Sequence, residues 1–200
     1  MQKNPTTITL TVSKANPVVG EQVTFTATLK RWNPTTKSYV ALPYKSVTVW
    51  YQVSGVWKTA VAKTNAYGTI TWPQSWTSAG STADYASFGG DATYAKSAIA
   101  SKTVTVRIQT KVTLNLAHVL DYDQWVAYGR LTDLNGNPVN RQEVIKIHLY
   151  APDPGHNTYT TTDTTGHFSV AVPSGCWYQA SFTGDDTYGP SDSIIVKECP

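Results

Sequence analysis

The chain has 200 residues, a net charge of +3 and two cysteines, and 14% of its residues are charged, 40% hydrophobic and 12% aromatic. Sparse charge with many threonines, aromatics and β-branched residues is typical of strands and excludes a disordered chain. No apolar run reaches the roughly 18 residues of a membrane-spanning helix, and the first ten residues do not resemble a signal peptide, so we expect a leader to have been removed or never present.

Alternating apolar and polar residues recur along the chain and predict half-buried strands. The alternation runs through residues 8–12, 23–29 and 47–53 in the first half, and through residues 112–116 and 145–149 in the second. Turn signals separate these segments. NAYGTI begins at Asn65 and DTTGHF at Asp163, and each pairs an Asx residue with a following glycine.

An eleven-residue string is written twice, as SFGGDATYAKS at residues 87–97 and as SFTGDDTYGPS at residues 181–191. A repeat spacing near one hundred residues favours a duplicated module, with domains at residues 1–108 and 109–200. About seven short strands per copy, with frequent turns, predict two tandem antiparallel β-sandwiches of the immunoglobulin-like class. The joining segment TVTVRIQTKVTLNL lacks Gly, Pro and Ser, so we expect the two sandwiches to lie end to end.

The order of these motifs resembles the tandem Ig-like repeats of bacterial and archaeal cell-surface proteins, of adhesin or surface-layer type. The string F.GD..Y..S is the most specific element, and both copies fit the pattern across nearly the whole chain. The second copy departs from it at AHVLDYDQWVAYGRL, in its opening strands. The resemblance implies an adhesive, spacer or surface-layer role in an extracellular or cell-surface location, and it implies no catalytic residues.

The repeated string is predicted to form a structural turn between the last two strands of each copy. Its glycines permit a left-handed or bulged backbone, its first aspartates can accept backbone N–H groups, and its tyrosine rings can lie on the sheet. A calcium site is the alternative, but the first copy offers one carboxylate where calcium requires six to eight oxygens. The predicted turn residues are Gly90, Asp91, Tyr94, Gly184, Asp185 and Tyr188.

The two cysteines are predicted to form a disulfide. Cys176 and Cys199 flank the second copy's last hairpin, and pairing about a centre between Thr187 and Tyr188 would bring them opposite each other. Such a bridge is worth about 3 kcal/mol in the chain-entropy model and implies an oxidising compartment. The alternative is two independent thiols in a cytosolic protein.

Seven tryptophans raise the possibility of a carbohydrate-binding module. Placing the hairpin centre at Gly55 pairs Trp57 with Val53 and predicts that Trp57 faces the core. Trp125 is likewise predicted to lie in the core. The remaining candidates for stacking on glycans are Trp32, Trp50, Trp72 and Trp76, with Trp50 directed outward and Trp32 in an inserted loop.

Charge is distributed unevenly along the chain. Residues 1–108 carry eleven Lys or Arg against three acids, a net of +8, whereas residues 109–200 carry five against ten, a net of −5. This asymmetry predicts head-to-tail self-association, with binding of anionic cell-wall or glycan polymers as an alternative. Nothing in the sequence indicates a nucleic-acid partner.

No catalytic, cofactor-binding or metal-binding pattern is present in the sequence. It contains no nucleophile elbow, zinc-protease motif or phosphate-binding loop, and the four histidines are predicted to be solvated. We therefore expect a non-enzymatic extracellular structural or adhesive module: a spacer, a stalk, or a self-assembling surface or filament subunit. Carbohydrate binding through domain 1 is the alternative function.

Overall fold

A computed structural model describes residues 2–151 and 154–198. Contacts divide the chain into two compact units, unit 1 (Met1–Arg107) and unit 2 (Ile108–Pro200). All the strand pairs are antiparallel, which confirms the predicted all-β fold class. Across the described ranges, no helix is long and apolar enough to cross a membrane.

Unit 1 contains two facing four-stranded sheets. One has the order β1-β2-β3 with β6 also on β2, and the other has the order β5-β4-β7-β8. Alternation along most of these strands buries one face, and in β2 every second residue from Val23 to Leu29 lies in the core. The strands are β1 (Thr6–Val12), β2 (Val23–Asn33), β3 (Ser38–Ala41), β4 (Ser46–Val53), β5 (Val56–Lys63), β6 (Thr69–Gln74), β7 (Gly80–Ser87) and β8 (Ala100–Val106).

Unit 2 repeats this plan with shorter strands. One sheet has the order β10-β11-β14 with β9 also on β11, and the other has the order β13-β12-β15-β16 with β17 also on β15. The strands are β9 (Thr110–Val112), β10 (Asn115–Val119), β11 (Gln124–Asp133), β12 (Val144–Ala151), β13 (Asn157–Thr161), β14 (His167–Val172), β15 (Trp177–Phe182), β16 (Ser191–Asp192) and β17 (Val196–Lys197), with a 3-10 turn at Leu120–Tyr122.

The insertion in the first copy is structured, and the prediction that Trp32 lies in a loop is wrong. Trp32 belongs to the end of β2 and pairs with Tyr39 of β3. Their rings meet edge to face with centroids 5.3 Å apart. Asn33 closes the hairpin by accepting the Thr35 N–H. A β-branched and aromatic sequence on both sides of an Asx turn forms a hairpin readily, because the turn satisfies its own backbone donors.

The β4–β5 hairpin has a register one residue away from the prediction. Its turn consists of Ser54 and Gly55, both with positive φ, so Val53 pairs with Val56, and Trp57 pairs with Gln52. A one-residue change of register moves each side chain to the opposite face of the sheet. The prediction that Trp57 faces the core is therefore wrong, and its side chain is 49% exposed.

Candidate functional site

The repeated string forms a closed turn in unit 1. Asp91 accepts the backbone N–H groups of Thr93 and Tyr94 through one carboxylate oxygen, each at 2.8 Å. Gly90 has a φ of +83°, and a Cβ there would lie 2.9 Å from the Lys96 nitrogen. Only a residue without a side chain fits this approach without strain, because positive φ and backbone crowding both disfavour a Cβ.

The same turn recurs in unit 2. Asp185 accepts the N–H groups of Thr187 and Tyr188 at 2.7 and 2.6 Å, and Gly184 has a φ of +79°. Burial raises the pKa of the Asp185 carboxyl, but the N–H donors of Tyr188 and Thr187, together with Glu143 and Arg141, outweigh that effect and leave the pKa below its usual value.

Each repeated turn also holds the beginning of its own unit. In unit 1, Asn4 donates its N–H to the Thr93 carbonyl at 3.0 Å and accepts the Ala95 N–H at 2.9 Å. In unit 2, the Ile108 N–H bonds to the Thr187 carbonyl at 2.7 Å, and the Ile108 carbonyl accepts from the residue after Tyr188 at the same distance. The turn thus ties the entering chain to the last hairpin, a structural role that the sequence string alone did not reveal.

A cation covers the turn in unit 1. The Lys45 ammonium lies 2.7 Å from an Asp91 carboxylate oxygen and 4.9 Å from the centroid of the Tyr94 ring. The hydrogen bond from Lys45, followed by the backbone donor of Tyr94, lowers the pKa of Asp91 to about 2. The aspartate therefore stays ionised across the physiological pH range and serves as a fixed acceptor.

In unit 2 the covering cation is Arg141. Its guanidinium contacts Asp185 and lies 4.9 Å over the Tyr188 ring, while its Nε lies 2.7 Å from Glu143. Burial, then hydrogen bonding to Asp185, raises the pKa of Glu143. Two carboxyl groups share one guanidinium here, so unit 2 keeps the cation–ring–carboxylate arrangement with an additional acid.

Two of the four candidate glycan-binding tryptophans pack against the core. The Trp72 ring stacks on Phe25 with centroids 5.5 Å apart, and its indole N–H donates to Asp84 at 2.8 Å. Trp76 packs against the same core and lines a cleft of about 340 Å³ beside the turn at Gly55. One face of the Trp72 ring is therefore occupied by Phe25, whereas Trp76 contacts both the core and the cleft.

Three outward-facing aromatic residues lie together on the β5-β4-β7-β8 sheet. Trp50 pairs with Tyr85 of β7, and the Trp57 ring lies 5.7 Å from the Tyr85 ring at a tilt of 47°. We call Trp50, Trp57 and Tyr85 the outer aromatic face. Sequence reasoning identified Trp50 and missed the other two, because the predicted register placed Trp57 inside and gave no partner for Tyr85.

An acidic side chain lies inside unit 1. Asp84 on β7 is 1% exposed, and the oxygen that does not bond to Trp72 has no hydrogen-bond partner among the described residues. Burial raises the pKa of Asp84 to about 6, and the hydrogen bond from Trp72 opposes that rise. Period-2 alternation contained the signal, since it places Asp84 on the same face as Ala86 and Phe88.

The predicted disulfide falls partly outside the described residues, because Cys199 is not among them. At the other end, the Cys176 carbonyl accepts the Glu198 N–H at 3.0 Å, and Tyr178 pairs with Val196. These pairs are centred on Thr187, half a residue before the predicted centre, whereas Ser181 pairs with Asp192 about a centre half a residue earlier still. The Cys176–Cys199 bridge stays a prediction.

Within residues 2–151 and 154–198, no group of three or more His, Cys, Asp or Glu side chains could hold a metal ion. The histidines of unit 2 are engaged singly instead. His118 stacks on Trp125 with centroids 4.9 Å apart and lies 2.9 Å from Asp123, and His148 bonds to Asn157 at 2.7 Å. Trp125 is half-buried and packs against the core cluster of unit 2.

Comparison with known proteins gives structural matches without sequence matches: no family model and no curated protein matches the chain. The C-terminal 282-residue fragment of intimin, solved with the intimin-binding domain of its translocated receptor, matches with a TM-score of 0.52 and 13% identity over 96% of this chain and 64% of that chain. At this identity the likeness establishes the fold, an Ig-like β-sandwich.

Two further structures match with lower scores. A bacterial ice-binding adhesin of 1.5 MDa matches with a TM-score of 0.37 and 15% identity, over 99% of this chain and 66% of that chain. A two-domain fibronectin type III segment of chicken tenascin matches with a TM-score of 0.40 and 12% identity, over 98% and 100%. The chain spans about two thirds of the length of the adhesin and intimin chains that it matches.

Proposed function

We propose that this chain is a non-enzymatic structural and adhesive module displayed outside the cell, acting as a spacer, a stalk or a self-assembling surface or filament subunit. The observation that carries the proposal is the outer aromatic face of Trp50, Trp57 and Tyr85, whose side chains lie together on one face of a regular sheet. Large aromatic side chains on a rigid sheet supply contact area at a low entropic cost, as protein interfaces require.

The strongest carboxylate interactions support a structural role for the repeated turns. The carboxylate oxygens of Asp91 and Asp185 accept hydrogen bonds from backbone N–H groups and form ion pairs with Lys45 and Arg141, respectively. A group so engaged is unsuited to proton transfer, which requires a pKa near the working pH and access to substrate.

Protein partners are favoured over glycans by the positions of the tryptophans. Trp72 and Trp76 are packed against the core, and Trp32 is covered at its edge by Tyr39. Glycan binding would therefore depend on Trp50 and the neighbouring exposed Trp57. A glycan array on which binding disappears with Trp50→Ala would support that alternative.

The uneven charge adds a proposed mode of self-association. The +8 of residues 1–108 and the −5 of residues 109–200 would attract one copy's first domain to another copy's second domain. Such attraction between exposed charges is screened beyond about 8 Å at physiological salt. Light scattering at low and high salt should therefore show that association between these oppositely charged domains weakens as salt is added.

The adhesive role is tested by attaching the full chain to beads. Chain-coated beads are expected to cluster with one another, and beads carrying the Trp57→Ser variant are expected to cluster less, because half of that indole is exposed. A Tyr67→Ser variant, which removes an exposed aromatic from a turn outside the outer aromatic face, is the matched control. Beads that adhere neither to one another nor to any protein or glycan surface would contradict the proposal.

A further inference from the structure

Strand β5 is an open and apolar sheet edge. It pairs with β4 over eight consecutive positions without a register shift, and it is the terminal strand of its sheet. Seven of its eight residues are exposed, including Val56 at 58%, Trp57 at 49% and Val61 at 66%. A long, straight edge with exposed apolar side chains is a template for pairing with another strand.

The register determines which backbone groups of β5 face away from β4. A two-residue turn makes Val53 and Val56 a hydrogen-bonded pair, and bonded pairs then alternate along the ladder. The Thr64 N–H, which bonds to the Lys45 carbonyl at 2.9 Å, fits the same alternation at the far end. The N–H and C=O groups of Trp57, Thr59 and Val61 therefore point outward, toward a further strand.

Three other edge strands, β6, β8 and β13, are covered, interrupted by proline or short. At β8, the Thr105 N–H bonds to the Ala15 carbonyl and the Val19 N–H bonds to the Arg107 carbonyl, so an extended segment covers that edge. Edge strand β6 contains Pro73, which has no N–H to offer. The corresponding edge strand of unit 2, β13, has only five residues, three of them threonine. In contrast to these three strands, β5 presents its outward-facing N–H and C=O groups to a further strand along its length.

We propose that β5 docks against β5 of a second copy of this chain, antiparallel and centred on Thr59, so that two sheets join edge to edge. This inference rests on the proposed function as a binding module and names the partner. In that register Trp57 lies opposite the second copy's Val61, an aromatic–β-branched pair, and Thr59 lies opposite its own counterpart. Both pairs use the outward-facing backbone groups, so the contact is self-complementary about a two-fold axis.

The length and charge of β5 predict a dimer of low affinity whose stability depends on salt. Eight residues give an edge about 27 Å long, which buries less than the roughly 800 Å² per partner of a standard stable interface. Lys58 lies opposite the second copy's Ala60, and the two Lys58 side chains are diagonal neighbours on one face, about 7–8 Å apart. Their repulsion is screened by salt, so salt should strengthen this dimer. On a crowded surface, many weak contacts would combine into strong adhesion.

The test measures dimerisation of the full chain by sedimentation equilibrium up to its highest soluble concentration, at low and high salt. Thr59→Pro removes an outward N–H and leaves the β4 ladder intact, and it should weaken dimerisation roughly tenfold or more. Val61→Lys, at a side chain already 66% exposed, should do the same without changing the backbone. Tyr159→Pro removes the outward N–H of β13 in unit 2, and it should leave dimerisation unchanged.

A charge swap tests the register. Mixing equal amounts of the Lys58→Glu variant and the wild-type chain should yield, at low salt, more heterodimer than the statistical excess of about twofold over each homodimer, because the diagonal pair becomes attractive. Sedimentation of a mixture with one fluorescently labelled species measures this directly.

Two results would overturn the inference: a wild-type chain that stays monomeric at every concentration, or association that survives both Thr59→Pro and Val61→Lys. Association that survives both variants and falls as salt rises would be head-to-tail contact by charge. Bead clustering that persists in both variants would rule out the edge contact and would still support the adhesive role. If the wild-type chain dimerises in solution but does not make beads cluster, the edge contact would be supported and the adhesive role contradicted.

Discussion

Replacing Asp84 with Asn should change how the stability of unit 1 depends on pH. Asp84 is almost fully buried on β7, and its pKa is raised from 3.8 to about 6. A carboxyl whose pKa is raised by folding favours the folded state when protonated. This contribution is fully present below pH 3.8, declines as the pH rises, and is lost above about pH 6. The shift of about two pKa units corresponds to about 3 kcal/mol.

Asn keeps the shape of Asp and can still accept the Trp72 N–H, but it carries no charge at any pH. The Asp84→Asn variant should therefore match the wild-type chain near pH 4. At pH 7.5 unit 1 should be about 2–3 kcal/mol more stable in the variant, because the wild-type chain has by then lost this contribution, and the raised pKa already includes the opposing hydrogen bond from Trp72. Other carboxyls affect both proteins equally, so the difference between the two isolates Asp84.

The assay is urea unfolding followed by tryptophan fluorescence at several pH values between 4 and 7.5. Five of the seven tryptophans lie in residues 1–107, so the signal reports chiefly on unit 1. Asp192→Asn, at an exposed position in unit 2, removes the same formal charge and is the matched control. Parallel pH profiles for the wild-type chain and the Asp84→Asn variant would refute the reasoning, since they would mean that folding leaves the pKa of Asp84 unchanged.

Three further predictions concern the turns, the cysteines and the outer surface. Gly90→Ala should lower the free energy of unfolding of unit 1 by about 2–3 kcal/mol, and more than Gly20→Ala, because both glycines have a φ of +83° but only Gly90 has backbone atoms within 4 Å of an added Cβ. A thiol titration of the unfolded, unreduced protein made in an oxidising compartment should find no reactive thiol, and two would contradict a Cys176–Cys199 bridge. Trp57→Ser should change the free energy of unfolding by less than about 1 kcal/mol, in contrast to its effect on adhesion, since the indole is half exposed.

Much of the fold could be predicted from period-2 alternation, because a half-buried strand has to place its apolar residues on one face. This is why every second residue of 23–29 and of 145–149 lies in the core as the sequence indicates. Hairpin register could not be predicted as well. Val53-Ser-Gly-Val56 is compatible with a centre at Gly55 or between Ser54 and Gly55, and only the positive φ of both residues settles it. That half-residue difference moved Trp57 from the predicted core to the surface.

Buried polar residues were harder to predict for another reason. Alternation places Asp84 on the core face, yet a carboxylate there is disfavoured by desolvation, so a sequence reading treats it as a surface charge. What makes the position tolerable is Trp72, which comes from a different strand and donates its indole N–H. Tertiary partners of this kind leave no local signal in the sequence.

The cation over each repeated turn shows how a duplicated scaffold can keep a contact while changing the residue that makes it. Equivalent threonines fix the alignment: the Lys45 N–H bonds to the Thr64 hydroxyl, and the Glu143 N–H bonds to the Thr162 hydroxyl. Lys45 thus corresponds to an acid in the second copy, and the cation there is Arg141, two residues earlier.

An arginine side chain is long enough to reach the same ring and carboxylate from that displaced position, and its planar guanidinium can serve two acids at once. The geometry of the contact is therefore retained in both units although no aligned position carries a cation in both. If the cation is required to hold the turn, each copy should keep a cation, a ring and a turn carboxylate, but the cation need not come from the same position. A catalytic or ligand-binding requirement would instead constrain each side chain at its own position.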